Sequence, residues 1–388
     1  MCGIAGFLSF RPEFDASSYV PVLNQMGNSL QRRGPDSSGI WTGKEPAIGF
    51  IHRRLSVIDL SEAGNQPMVS PSGRFVIAYN GEIYNHLQIR KELADSVLHE
   101  IHWRGHSDTE TLLMAIEIWG LDKSLNSIVG MFAFALWDRE AVELILVRDR
   151  IGEKPLYFGL CNDALVFASE LAAFNAFPGF SAELDRDSIA LFLKYSNVPA
   201  PNSIYKGIFK LVPGTYLRID SNLDLTNQIT YWSAKNVVRS GGDSPFEGSK
   251  QDAVYELKRL LHRSVGQQML ADVPLGAFLS GGIDSSTIVA LMQSQSKYPV
   301  KTFSIGFSEE SFDEAKYARQ VANHLHTEHT ELYVSAAQAQ DVILELPSIY
   351  SEPFADVSQI PTFLVSHLAK QHVTVSLSGD GGDELFGG

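Results

Sequence analysis

The chain has 388 residues, enough for two or three domains of about 100–200 residues each, and 44% of them are hydrophobic, ample for packed cores. A net charge of −14 argues against a nucleic-acid surface or an anionic membrane as the main partner. No apolar run approaches the roughly 18 residues of a spanning helix, and the first residues, Met1-Cys2-Gly3-Ile4-Ala5, do not read as a signal peptide. With only Cys2 and Cys161 there is no disulfide framework and no CxxC metal pattern, which fits a reducing, cytoplasmic setting.

The N-terminal half is rich in strand-like runs, at 3–10, 47–58, 74–79, 131–137, 143–147, 156–160 and 165–168. Asn162-Asp163 marks a hairpin between the last two. Apolar residues at helical spacing predict a helix over 17–30, and Ser107-Asp108-Thr109-Glu110 reads as a capping box opening a helix over 111–119. Strands joined by short turns imply antiparallel sheets with helices stacked on their faces.

Cys2 is the first chemical candidate. Once Met1 is removed, its thiol shares a residue with a free α-amino group, giving a self-contained nucleophile and base. An α-amine with an ordinary pKa near 7.7–8.0 is partly neutral at physiological pH and can accept the thiol proton. A chance cysteine at position two is the competing reading.

Further motifs follow in order: Arg33-Gly34-Pro35-Asp36, His52-Arg53-Arg54-Leu55-Ser56, Asn80-Gly81-Glu82-Ile83-Tyr84-Asn85 and Ser107-Asp108-Thr109-Glu110. With Cys2-Gly3-Ile4 they resemble the class II glutamine amidotransferase domain, an N-terminal-nucleophile hydrolase with an αββα sandwich. The resemblance implies that Cys2 attacks the glutamine amide. It also implies that the Asn80 side chain and the Gly81 N–H stabilise the oxyanion, that Arg54 holds the substrate carboxylate, and that Glu82 and Asp108 hold its ammonium. An arginine fork suits a carboxylate, and losing one oxyanion donor typically costs about 10²–10³ in rate. Other readings stand beside these: Asp108 as a helix cap, Asn80-Gly81 as a hairpin turn, and Asp36 as an anchor of the Gly34-Pro35 turn. Arg53 reads as a charge outside the site and Cys161 as a small buried apolar residue. His52, His86, His99, His102 and His106 show no metal-ligand spacing.

A short amphipathic helix is predicted over 184–195, and a turn and strand over 210–219, packed between the halves. Ser240-Gly241-Gly242-Asp243-Ser244-Pro245 reads as a flexible, helix-breaking surface loop. The expected domains are 2–215, a connecting segment over 216–249, and 250–388.

In the C-terminal half, Ser249 and Asp252 cap a long helix with Val254, Leu257, Leu260, Leu261, Val265 and Met269 on one face. Strands at 275–279, 301–305, 330–334 and 373–377 alternate with helices at 285–292, 313–325, 336–346 and 360–371. This is the pattern of a doubly wound parallel sheet, whose ligands bind beyond the carboxyl ends of its strands. Two loops sit at such ends. In Leu279-Ser280-Gly281-Gly282-Ile283-Asp284-Ser285-Ser286, a strand, a small-residue turn and a helix N-terminus make a place for an anion. Asp284 would repel a phosphate directly, so a divalent cation between them is implied, and Mg2+ fits. No Gly-Lys-Ser/Thr follows, so this is not a Walker loop. The second loop, Ser378-Gly379-Asp380-Gly381-Gly382-Asp383-Glu384, is acidic and glycine-rich and can complete that metal site; a plain Gly/Asp turn is the alternative.

The first loop resembles the PP-loop of enzymes that cleave ATP to AMP and pyrophosphate. With Ser304-Ile305-Gly306-Phe307 and Phe312-Asp313-Glu314, the two loops resemble the synthetase domain of the glutamine-hydrolysing asparagine synthetase family, in the matching domain order. The family implies attack of aspartate on the α-phosphate of ATP, giving β-aspartyl-AMP. Ammonia drawn from glutamine through an internal tunnel then displaces AMP. By resemblance, Leu279, Ile305, Ser378 and Gly379 contact the nucleotide, Ser280, Gly281, Gly282, Asp284, Ser285 and Ser286 hold its phosphates, and Asp284 and Asp383 take Mg2+. Asp380 departs from relatives that carry glutamate there. The chain ends at Gly387-Gly388 just after a loop motif, which reads as a truncated synthetase half. The expected partners are small molecules (glutamine, aspartate and ATP), with no nucleic acid and no membrane; a homodimer is the one macromolecular expectation. Two alternatives remain: a relative amidating another carboxylate, such as a sugar acid, and a degenerate glutamine- or ATP-binding regulator.

Overall fold

The computed structural model describes residues 1–11, 16–98, 100–307 and 314–387. The chain forms two compact units, Met1–Pro245 with Ser351–Phe354, and Phe246–Tyr350 with Ala355–Gly388.

Among the described residues the first unit holds twelve strands: β1 (Gly3–Ser9), β2 (Ser37–Gly43), β3 (Ala47–Arg54), β4 (Met68–Val69), β5 (Phe75–Ile83), β6 (Gly130–Asp138), β7 (Glu143–Arg148), β8 (Tyr157–Cys161), β9 (Ala164–Ala168), β10 (Ile208–Lys210), β11 (Thr215–Ile219) and β12 (Gln228–Thr230). They make two six-stranded sheets, ordered β10-β8-β9-β1-β3-β2 and β12-β11-β7-β6-β5-β4. Alternation along the strands builds the layers. Ile4, Leu8, Ile48, Phe50 and Phe167 of the first sheet meet Val76, Ala78, Ala133, Ala135 and Leu146 of the second in one buried cluster. The intervening residues face outward. Ala5, Phe7 and Val166 pack on Leu23 and Met26 of the helix Val20–Ser29. Ile77, Tyr79, Phe132 and Phe134 pack on Ile89, Leu112 and Ile116 from the helices His86–Ser96 and Asp108–Trp119. Helix, sheet, sheet, helix is the layering the sequence implied.

Local chemistry explains the joints. Asn162 and Asp163 both take positive φ, 47° and 62°, and Cys161 pairs directly with Ala164, so this is the tight two-residue hairpin the sequence predicts. Asn80-Gly81 is not a turn: it lies inside β5, with Asn80 opposite Ala133 and Gly81 opposite Phe132. Ser107 accepts the Glu110 N–H at 3.2 Å as an N-cap, so the helix starts at Asp108. The Glu110 carboxylate closes no reciprocal box; it accepts the backbone N–H of Arg104 (2.8 Å) and Gly105 (3.1 Å) instead.

Two expectations differ from the structure here. The segment 210–219 ends β10 at Lys210 in one sheet and supplies β11 to the other, within the first unit. The stretch read as a loop at 240–245 is helical to Asp243, in the helix Ala234–Asp243. Glycine lowers helix propensity by only about 1 kcal/mol, and Gly241 and Gly242 sit in the last turn, with Pro245 just beyond as a stop. The segment Ser351–Phe354 belongs to this unit, where Glu352 accepts the Ile204 N–H at 2.7 Å and the Tyr157 hydroxyl at 3.2 Å and pairs with Lys210.

The second unit is built on β13 (Leu275–Phe278), β14 (Lys301–Phe307), β15 (Glu328–Val334) and β16 (Val375–Leu377), all parallel, in the order β15-β14-β13-β16. The long helix Lys250–Gln268 carries the full Ser249–Asp252 capping box. Of its predicted apolar face, Leu261, Val265 and Met269 pack in the core, while Val254, Leu257 and Leu260 are exposed. The acidic loop after β16 turns helical at Gly382–Phe386. Phe312 and Asp313, like His99, lie outside the described residues.

Candidate functional site

In the first unit, β1 starts just after Cys2, and its pairing with β3 brings that end of the strand to Arg53 and Arg54. The Cys2 thiol accepts the Leu55 N–H at 3.4 Å and lies 3.6 Å from the Leu55 carbonyl. Arg33 Nε donates to the Cys2 carbonyl at 2.9 Å, and its Nη1 is anchored by Glu170 at 2.8 Å. Burial pushes the Cys2 thiol above its ordinary value, so it needs a base to ionise. The terminal amine in this structure is that of Met1, and it is lowered to about 6, first by burial and further by the Arg33 and Lys154 cations.

Strand β5 presents Asn80, Gly81 and Glu82 in succession. Asn80 is fully buried, and neither its Nδ2 nor its Oδ1 has a partner among the described residues. Leaving such a group unpaired costs about 1–3 kcal/mol, so a buried free amide marks a place kept for a ligand. A Cβ at Gly81 would lie 2.3 Å from the Met131 carbonyl, so only glycine fits.

The Asp108 carboxylate accepts the Tyr79 hydroxyl (3.0 Å) and the backbone N–H of Ile83 (2.9 Å) and Thr109 (2.8 Å). Ser107 is the cap, so the Asp108 carboxylate takes one first-turn N–H, that of Thr109, and otherwise turns inward to Tyr79 and Ile83. Burial raises its pKa, and burial with the Asp108 charge raises Glu82 to about 7. Two carboxylates, one buried and one half-buried, are complementary to an ammonium. Arg54 is also buried; Nη1 donates to the Ser61 carbonyl (2.9 Å) and to Asn65 Oδ1 (3.0 Å), and Nη2 to the Asp59 carbonyl. Among the described residues the bonds at these two nitrogens use three of its five N–H donors, which leaves donors for a carboxylate.

The structure therefore brings Cys2, Arg54, Asn80, Gly81, Glu82 and Asp108 to one region; the Cys2 thiol feels the charges of both Arg54 and Asp108. Arg53 points away, donating to Gly27 and Asn28. Asp36 accepts the Ser56 N–H at 2.8 Å and so pins the loop after β3. His52 bridges the sheets from beneath, bonding the Tyr79 carbonyl at 3.0 Å, and burial drops its pKa to about 3. Cys161 is buried in the core of the first unit. Arg33 and Tyr79, which bond Cys2 and Asp108, were not singled out in the sequence: Arg33 stands in a motif already noted, but Tyr79 lies in a run that reads as strand.

In the second unit, β13 leads into the glycine turn. Leu279 is buried and its N–H bonds the Phe303 carbonyl of β14 at 2.9 Å. Gly281 has φ +83°, and a Cβ there would lie 2.7 Å from the Ala318 nitrogen. The Ser280 and Ser285 hydroxyls meet at 2.9 Å, and Ser280 Oγ accepts the Gly282 N–H at 3.2 Å. The helix Ile283–Gln295 starts next, and the buried Ser286 hydroxyl has no partner among the described residues. The second loop leaves β16, the neighbour of β13, and presses on the first: a Cβ at Gly379 would be 2.7 Å from the Ser285 nitrogen, and one at Gly382 would be 2.4 Å from Asp284 Oδ2. Ser378, Gly379 and Asp284 thus adjoin, and Ile305 lies near the end of the adjacent β14. Among the described residues no cluster of three metal-ligating side chains occurs. One or two carboxylates beside a phosphate-binding turn suit Mg2+, which takes most of its ligands from phosphate and water.

Cys2 beside a buried amide, an arginine and two carboxylates, joined in one chain to a small-residue turn at the carboxyl end of a parallel strand, is the arrangement expected of a glutamine-dependent amidotransferase. Residues 1–232 match the family model for a glutamine amidotransferase domain, and residues 256–388 that for asparagine synthase. A putative glutamine-hydrolysing asparagine synthetase of Methanocaldococcus jannaschii is 35% identical over all of this chain and 75% of its own length. Asparagine synthetase 1 of Bacillus subtilis is 35% identical over all of this chain and 59% of its own, and the amidase chry2 of Gibberella zeae is 31% identical over all of this chain and 59% of its own. The chain thus spans about three fifths to three quarters of the length of these relatives. It belongs to the glutamine-hydrolysing asparagine synthetase family.

Proposed function

We propose that the protein transfers the amide nitrogen of glutamine to a carboxylate activated by ATP, with aspartate as acceptor: ATP, L-aspartate, L-glutamine and water give AMP, diphosphate, L-asparagine and L-glutamate. The observation that carries the reading is the unpartnered, fully buried amide of Asn80, next to Gly81 and in the same region as Cys2. After removal of Met1, the Cys2 amine takes the thiol proton, and the thiolate attacks the glutamine amide carbon. Asn80 Nδ2 and the Gly81 N–H meet the oxyanion. The C–N bond breaks, ammonia leaves with a proton returned by the amine, and water hydrolyses the thioester to glutamate. Arg54 takes the α-carboxylate, and Glu82 and Asp108 the α-ammonium.

At the second centre, Ser280, Gly281, Gly282, Ser285 and Ser286 cradle the ATP phosphates, and Leu279, Ile305, Ser378 and Gly379 border the nucleoside. Asp284 and Asp383 would hold Mg2+, which supplies charge neutralisation at the leaving diphosphate. The acceptor carboxylate attacks the α-phosphorus, diphosphate leaves, and ammonia then displaces AMP from the acyl-adenylate. The relatives' printed names support aspartate as acceptor. One relative carries a different name, an amidase, so the acceptor is not settled by the family and another carboxylate is the second reading. Two measurements test the proposal. Cys2→Ala is expected to abolish ammonia release from glutamine, and unchanged release removes the nucleophile assignment. Diphosphate release from ATP is expected to rise with aspartate; a response to a different acid alone replaces the acceptor.

A further inference from the structure

Asp59 is 1% exposed and takes positive φ, 60°, a conformation that aspartate and asparagine tolerate better than most side chains. In this conformation its carbonyl accepts Arg54 Nη2. Arg54 Nη1 is held by later residues of the same loop, the Ser61 carbonyl at 2.9 Å and Asn65 Oδ1 at 3.0 Å. The guanidinium is closely packed: a Cβ at Gly64 would lie 2.1 Å from Nη2. The Asp59 carboxylate bonds a different set of groups. Its Oδ1 accepts the Ser61 N–H at 3.1 Å and the Ser61 hydroxyl at 2.5 Å, and its Oδ2 accepts the backbone N–H of His106 at 2.8 Å. His106 stands two residues before Asp108, and a Cβ at Gly105 would be 2.0 Å from Asp59 Oδ2. Arg90 fixes the same backbone, donating to the Gly105 carbonyl at 3.0 Å and the Ser107 carbonyl at 3.1 Å. Gln66 adds a second tie between the two loops, donating to Thr109 Oγ1 at 3.2 Å. One buried residue thus bonds both the Arg54 guanidinium and the backbone that leads into Asp108.

We propose that Asp59 is a positioning residue for the donor substrate: by bonding Arg54 through its carbonyl and the 106–108 backbone through its carboxylate, it sets the spacing between the group that takes the α-carboxylate of glutamine and the group that takes its α-ammonium. Both charges of the substrate sit on one α-carbon, so the two protein groups must hold a single spacing, and small misplacements of such groups are costly. Arg54 and Asp108 grip atoms remote from the reacting amide. Their grip is the same before and during the chemical step, so loosening it weakens binding and spares turnover. Asp59 acts through these two partners and does not touch the reacting amide.

This inference rests on Arg54 and Asp108 binding the α-groups of glutamine, and Arg54→Lys tests that reading separately. Glutamine hydrolysis by the full chain is followed for the unsubstituted protein, Arg54→Lys, Asp59→Asn, Ser61→Ala and Phe174→Ala. L-glutamate serves as a competitive inhibitor that reads binding without chemistry. Asparagine matches aspartate in size and tolerates the positive φ, but only one of its two terminal atoms accepts a hydrogen bond. Asp59→Asn is expected to raise the KM for glutamine and the Ki for glutamate together, about tenfold each, with kcat within about twofold. Ser61→Ala removes one bond to the carboxylate from the exposed part of the loop. It is expected to raise both constants about threefold, which keeps the test decisive should Asp59→Asn not fold. Phe174→Ala weakens the buried core on the far side of the first sheet and is expected to leave both constants unchanged. An unchanged KM in Arg54→Lys removes the clamp reading and this inference with it. A raised KM in Arg54→Lys overturns this inference alone if Asp59→Asn, or Ser61→Ala in its place, leaves both constants unchanged or lowers kcat only. The same holds if Phe174→Ala raises both constants as much as Asp59→Asn does.

Discussion

Asn80 is folded into β5 with both amide atoms buried and without a partner among the described residues. Replacing it removes a group that stabilises nothing in the free protein, so Asn80→Ala is expected to leave stability close to unchanged. Glutaminase kcat should fall about 10²–10³-fold with a smaller change in KM, which steady-state kinetics will resolve. Glu82 shows the opposite balance. Its folded-state pKa, about 7, lies above the ordinary value of 4.5, so the folded protein binds more protons than the unfolded chain between those values. Stability from this group is therefore full below pH 4.5 and lost as pH rises through 7. Glu82→Gln is expected to raise the melting temperature at pH 8 and to leave it unchanged at pH 4, while weakening glutamine binding; thermal melts at the two pH values check the sign.

Strand β5 ties these residues together, because alternation sends Tyr79 outward to Asp108 and keeps Asn80 and Glu82 at the site end of the ladder. Asp108 depends in turn on its helix starting where it does. Ser107→Ala removes the N-cap and is expected to cost about 1 kcal/mol in denaturant unfolding and to raise the KM for glutamine as the first turn frays. Phe134, fully buried between the second sheet and its helices, is a packing position without chemistry. Phe134→Ala is expected to cost about 3–5 kcal/mol of unfolding free energy while the pH profile of any remaining activity keeps its shape.

For the whole molecule, the two centres lie in separate compact units, each with its own core. A change at one nucleotide-loop carboxylate is therefore expected to spare the other chemistry. Asp284→Asn should abolish diphosphate release from ATP and leave Cys2-dependent ammonia release within about twofold, since sites without shared partners behave additively. Loss of both activities together would show that the units do not act independently.

Local rules were enough to read much of this from the sequence. Periodicity gave the strand and helix types, Asn162-Asp163 gave a turn, and the family resemblance carried by the motifs around Cys2, Arg54, Asn80 and Asp108 pointed to one amide-handling constellation. Other features depended on residues far apart in sequence. Asn80-Gly81 has the local chemistry of a hairpin, but pairing with β6 makes it strand, and close approach to the Met131 carbonyl is what demands glycine. The exposed positions of the helix Lys250–Gln268 carry the same periodic pattern as its buried ones, so only packing separates them. Tyr79 carries no motif; what it does comes from burial beside Asp108, and burial is set by the assembled sheets rather than by neighbours along the chain.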